Sequence, residues 1–147
     1  MKIIIGIDPD LEKSGVAIYR EDKTLELMCL SFFDVLKVFD EHGPNIQKVV
    51  IEAGWLNKKS NFHGAKNQQI GERKAKNVGE NHAVGKLLVE ACAIRLIKTQ
   101  LLRPTATKKN AEEFARITGY QGSTNPEKRD AGMLVYGMPF KNTVVTG

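Results

Sequence analysis

The sequence is poor in cysteine and has no long apolar run. Its two cysteines, Cys29 and Cys92, have no second Cys or His nearby at zinc-ligand spacing, which argues against a zinc site. Both lie in apolar stretches and read as buried thiols in a reducing cytoplasm. No apolar run approaches the ~18 residues needed to span a membrane. The opening Met1-Lys2-Ile3-Ile4-Ile5-Gly6 reaches Asp8 too soon for a signal peptide. There is no internal repeat, and no composition shift marks a second domain. A chain of 147 residues suits one domain, 1–147, with its own hydrophobic core.

The chain is apolar at 41% of positions, a little low for a globular protein but far from disordered. Net charge is +5 and the sequence pI is about 9.2. A basic balance favours a polyanionic partner without specifying a fold or a reaction.

Hydrophobic patterning predicts the order β-β-β-α-β-α-β-α-α. Residues 2–8 form a short, β-branched, non-alternating run, the pattern of a fully buried strand. Residues 15–19 and 24–30 follow as strands joined by the charged turn Arg20-Glu21-Asp22-Lys23. Ser31 caps a predicted helix over 32–41, ended by Gly43-Pro44, and a strand follows at 46–52. A long helix opens at Gly79 or Asn81 and runs to about Lys98. Gly85 within it predicts close approach of another element, a second copy of the chain being one candidate. His82 near its start reads as a packing or capping residue. A short strand covers 100–103, Thr107 caps a helix over 108–117, and Pro126 starts a last helix to about Tyr136. Residues from about 139 to 147 are expected to fray. The prediction is an α/β fold, a mixed five-stranded sheet with helices on both faces.

Residues 55–80 differ from the rest. They lack sustained apolar periodicity and read as a long polar insertion. Between positions 58 and 76, Lys58, Lys59, Lys66, Arg73, Lys74 and Lys76 stand against a single acid, Glu72. Such a stretch can hold nucleic-acid phosphates, reading shape rather than base sequence.

Four carboxylates carry the chemistry. Asp8 and Glu52 end the two most apolar strands, and ligands of open α/β sheets bind beyond the carboxyl ends of strands. Glu127 and Asp130 are at i and i+3 and share a helix face. Each acid alone has a plainer explanation: a turn at Asp8-Pro9-Asp10, a loop start at Glu52, a dipole complement at Glu127. Together they can hold two Mg²⁺ ions ~4 Å apart, as two-metal phosphodiesterases require. Carboxylates also favour Mg²⁺ or Mn²⁺ over zinc.

Ile7-Asp8-Pro9 with Ser14-Gly15-Val16-Ala17 resembles the first motif of RuvC-type Holliday-junction resolvases, in the RNase H-like superfamily. Val50-Ile51-Glu52 resembles the second motif, and Glu127 to Asp130 running into Ala131-Gly132-Met133-Leu134 resembles the third. The resemblance spans roughly residues 3–137. It implies a homodimeric, Mg²⁺-dependent endonuclease that nicks four-way DNA junctions, with Asp8, Glu52, Glu127 and Asp130 as metal ligands and no small-molecule cofactor. It also implies that Trp55 stacks on junction bases and that Lys108 and Lys109 face the scissile strand. Asp10 stands where the family usually has Gly and either adds a ligand or distorts the turn; Glu127 stands where Asp is common. The alternatives are another RNase H-like nuclease acting on RNA or branched DNA, and a catalytically inactive junction-binding module.

Overall fold

The computed structural model describes residues 1–57 and 68–141, with side chains at 68–70 excepted. The strands are β1 (Ile3–Asp8), β2 (Ser14–Arg20), β3 (Leu25–Leu30), β4 (Ile46–Glu52) and β5 (Thr99–Leu102). The helices are α1 (Phe32–His42), α2 (Gln68–Ile94), α3 (Ala111–Thr118) and α4 (Pro126–Val135). The sheet order is β3-β2-β1-β4-β5. β1, β2 and β3 pair antiparallel in sequence, whereas β1, β4 and β5 run parallel.

β1 sits at the centre because both of its faces are apolar. Ile3, Ile5 and Ile7 pack with Val35, Val38 and Phe39 of α1 and with Val84, Leu88 and Cys92 of α2. Ile4 packs on the opposite face with Phe114 of α3 and with Ala131 and Val135 of α4. The helices therefore cover both faces, as the patterning predicts. Gly6 shares the Ile4 face, and a Cβ there would lie 2.5 Å from the Ala131 carbonyl oxygen. Its missing side chain lets α4 lie directly on β1.

Strand alternation then sets the direction of the two strand-end acids. Asp8 continues the Ile4–Gly6 parity, and Glu52 continues that of Val50, which packs on the same face. Ile7 pairs with Ile51 in register, so the next residues, Asp8 and Glu52, end side by side beneath α4.

The structure departs from expectation at several places. α2 begins at Gln68, so Arg73, Lys74 and Lys76 lie on a helix and not in a loop. Residues 72–79 are exposed all round, so this part of α2 has no apolar stripe to reveal it. α2 also ends earlier, at Ile94, and Leu96 just beyond it has φ 59°. α3 is capped by Asn110 rather than Thr107: Asn110 accepts from the Glu113 N–H while Glu113 reaches back to the Asn110 N–H. Residues 139–141, expected to fray, are tied down. Phe140 stacks on Tyr19 at 5.6 Å, and the Lys141 N–H donates to Gln47 at 2.8 Å. Residues 142–147 lie outside the described residues. None of the described helices is long and apolar enough to cross a membrane.

Candidate functional site

Asp8, Glu52 and Asp130 converge at the rim of the sheet, with carboxylate oxygens within 4.8 Å of one another. β1 and β4 deliver the first two and α4 delivers the third. α4 is held at its start by Asn125, whose side chain accepts from the Lys128 N–H, with Pro126 in the first turn. Arg129 fastens the helix to its surroundings. Its Nε donates to the Lys109 carbonyl at 2.9 Å and its guanidinium to Thr124 Oγ1 at 2.9 Å. The loop carrying Lys108 and Lys109 is thereby fixed beside Asp130.

The site is electrostatically loaded. Burial, and then the charges of Glu52, Asp130 and Glu127, push the Asp8 carboxyl up to about 7 against an opposing pull from Lys108. Glu52 is also raised, by burial first and by Asp130, again opposed by Lys108. The Lys108 ammonium lies 3.1 Å from Asp130 Oδ2 and 4.0 Å from Glu52 Oε1. Burial lowers its affinity for a proton, but the hydrogen bond to Asp130 and the charges of Glu52, Asp130 and Asp8 outweigh this and hold it above the usual lysine range. Three acids sharing one ammonium leave an excess of negative charge. All the donors are oxygen, and a hard divalent cation fits that set.

The other predicted residues that are described lie outside the group of three acids. Glu127, one turn before Asp130, is exposed and outside the group of three, although its charge still acts on Asp8. Asp10 is engaged locally: its Oδ2 accepts from the N–H groups of Glu12 and Lys13, at 2.9 and 3.2 Å. That carboxylate shapes the β1–β2 turn, the ordinary use of Asp in such a place. Trp55 sits half-buried against the core and lines a cavity of about 190 Å³ with Asp8, Pro9, Glu52 and His82. Gly85 of α2 makes room for the Trp55 ring, so the close approach it signals is to Trp55 and Pro9 of the same chain. His82 packs edge-on to Trp55 at 6.1 Å, in the packing role expected of it. On the other side of the acids a cavity of about 330 Å³ is lined by Arg103, Thr105, Lys108, Lys109 and Met133 among others. Arg73, Lys74 and Lys76 project from α2 just before Val78, which lines the Trp55 cavity. Lys58, Lys59 and Lys66 lie outside the described residues.

Two features of the site escape a reading of sequence alone. Arg129 gives no sign in its spacing that it clamps the Lys109 backbone. The insertion of Lys108 among the acids depends on how the loop after β5 folds, which residue types do not encode.

No protein-family model matches the sequence, and no curated protein matches it. Solved structures do match. Thermus thermophilus RuvC in complex with a Holliday junction substrate matches with a TM-score of 0.54 at 17% identity, over 91% of this chain and 90% of that one. A second structure of Thermus thermophilus RuvC matches with a TM-score of 0.51 at 15% identity, over 90% of each chain. The chain thus has a RuvC-like fold, the RNase H-like α/β architecture implied by its motifs.

Proposed function

We propose that this protein is a metal-dependent endodeoxyribonuclease that resolves four-way DNA junctions by paired symmetric nicks. The observation that carries the reading is the meeting of Asp8, Glu52 and Asp130 at the carboxyl ends of two parallel strands in a RuvC-like fold.

Asp8, Glu52 and Asp130 would hold Mg²⁺, with Mn²⁺ as a substitute, and Glu127 would complete the ligands for a second ion. Such a pair of ions supplies an activated water and stabilises the leaving oxygen of the phosphodiester. The chain's own residues do the rest. Lys108 and Lys109 hold the phosphate at the edge of the acids. Trp55, backed by His82 and Gly85, offers its ring to an unstacked junction base. Arg73, Lys74 and Lys76, with Lys58, Lys59 and Lys66, hold the backbones of the DNA arms. Two symmetric nicks require two active sites, which a two-fold homodimer provides. Leu87 and Ile94, seven residues apart on α2, are exposed and support a face for the second copy. The substrate would be DNA in the cytoplasm.

A labelled synthetic four-way junction, a matched linear duplex and an EDTA control test the reading. Cleavage of the junction with Mg²⁺, abolished by Asp8→Asn and by Asp130→Asn while junction binding persists, is the expected result. Near wild-type cleavage by either variant contradicts the assignment. Cleavage of RNA with no junction preference would replace the substrate.

A further inference from the structure

The Lys108 ammonium stands where a cation would have to stand. It contacts Asp130 Oδ2 at 3.1 Å and approaches Glu52 Oε1 at 4.0 Å, and the charge of Asp8 also acts on it. Among the described residues, no other cation is ion-paired with Glu52 or Asp130. Three carboxylates within 4.8 Å of one another repel strongly at low effective dielectric, and Lys108 is the group that offsets this.

The backbone just after Lys108 is held in place. Arg129 holds the Lys109 carbonyl, and Asn110 begins α3 with a reciprocal cap. The Lys108 side chain is half-exposed, at 53%, and lines the cavity of about 330 Å³ beside the acids. Its four-carbon stem can turn into that cavity without moving the loop.

We infer that Lys108 is a built-in counter-cation: it holds the three acids together in the metal-free protein, leaves them when a divalent cation binds, and turns outward to a substrate phosphate. This rests on the reading of Asp8, Glu52 and Asp130 as metal ligands. Lys108 and a divalent ion compete for the same carboxylates, because an ammonium beside a bound dication is repelled by it. One side chain therefore couples loading of the site to capture of the strand. The coupling has an opposed signature. Removing the charge strengthens metal binding and weakens hold on DNA, whereas a residue that merely helps to assemble the site would weaken both.

The test uses the full chain without DNA. Mg²⁺ affinity is measured by calorimetry for the wild type, Lys108→Met and Lys108→Gln. Both variants are expected to bind roughly fivefold tighter or more, the lower end of ordinary coupling between sites. In parallel, the side-chain ammonium resonance of Lys108 is followed by NMR in the wild-type protein, which removes any dependence on the variants folding. It should be sharp without metal and shift or broaden away as Mg²⁺ is added. Equal or weaker Mg²⁺ affinity in both variants, or an ammonium signal unmoved at saturating Mg²⁺, overturns the inference and leaves the metal site standing. Absence of Mg²⁺ and Mn²⁺ binding by every form overturns the metal site as well.

Discussion

The backbone of Glu127 lies directly over Gly15, so close that any Cβ on Gly15 would collide with the Glu127 carbonyl. This contact seats the first turn of α4 on β2, just as Gly6 seats its middle on β1. The height of α4 above the sheet, and so the reach of Asp130 to Asp8, is set by two strand positions without side chains. Gly15→Ala must lift the helix or bend the strand. The expected cost is about 1–3 kcal/mol, the range for overpacking, with Mg²⁺ affinity falling alongside stability. Urea unfolding and metal calorimetry measure the two effects, and a variant unchanged in both would disprove this role for the glycine.

The raised Asp8 carboxyl makes a prediction with a definite sign. Its pKa is about 7 in the folded chain against an ordinary 3.8, so the folded state binds the extra proton. Stability of the metal-free protein therefore falls as pH rises from about 4 through 7, and the penalty is fully present above that. Asp8→Asn removes the penalty. In EDTA at pH 8 the variant should melt above the wild type, and the gain should shrink through pH 7 and vanish near pH 4. A gain that instead grows on acidification would mean that burial and the neighbouring acids do not destabilise Asp8.

The chain has a single tryptophan, which makes the Trp55 wall directly visible by fluorescence. Gly85→Ala would place a methyl group against the Trp55 ring, with Pro9 as the next neighbour. The ring must move away from α2. A shifted emission maximum and a loss of roughly 1–3 kcal/mol are expected. An unshifted spectrum with unchanged stability would show that the ring does not depend on this gap.

Trp55→Ala separates base stacking from metal chemistry. If the ring stacks on a junction base, junction affinity should drop by about 1–3 kcal/mol. Mg²⁺ affinity and binding to linear duplex should change little. Equal losses on junction and duplex would reduce Trp55 to a core residue.

Much of this architecture is legible in the sequence because burial leaves a pattern. β1 and β4 carry apolar β-branched stretches, Ile3 to Ile5 with Ile7 and Val49 to Ile51, because both faces are covered there, and their terminal acids stand out against that background. The parallel pairing of β1 with β4, and so the meeting of Asp8 and Glu52, follows from the α/β order. The first turns of α2 leave no such trace, since residues 72–79 bury no stripe that would impose a period. The start of α3 was legible in principle: Asn110 and Glu113 have capping-box spacing, but Thr107 offers a competing cap three residues earlier. Sharing a helix face does not give Glu127 and Asp130 the same surroundings. Asp130 is partly buried toward the strands, and Glu127 is exposed at the helix start. The hold of Asp10 on its own turn and the insertion of Lys108 among the acids depend on tertiary and loop geometry that a periodicity does not report.

Paired cutting is the most direct test of the central claim. A supercoiled plasmid extruding a cruciform is incubated with the wild-type chain and Mg²⁺, and its products are separated as supercoiled, nicked and linear forms. Two symmetric nicks within one bound junction give linear plasmid, and the account predicts that product, absent with EDTA and absent for Asp130→Asn. Plasmid that stays supercoiled with both Mg²⁺ and Mn²⁺, or that accumulates only as nicked circles, would contradict it.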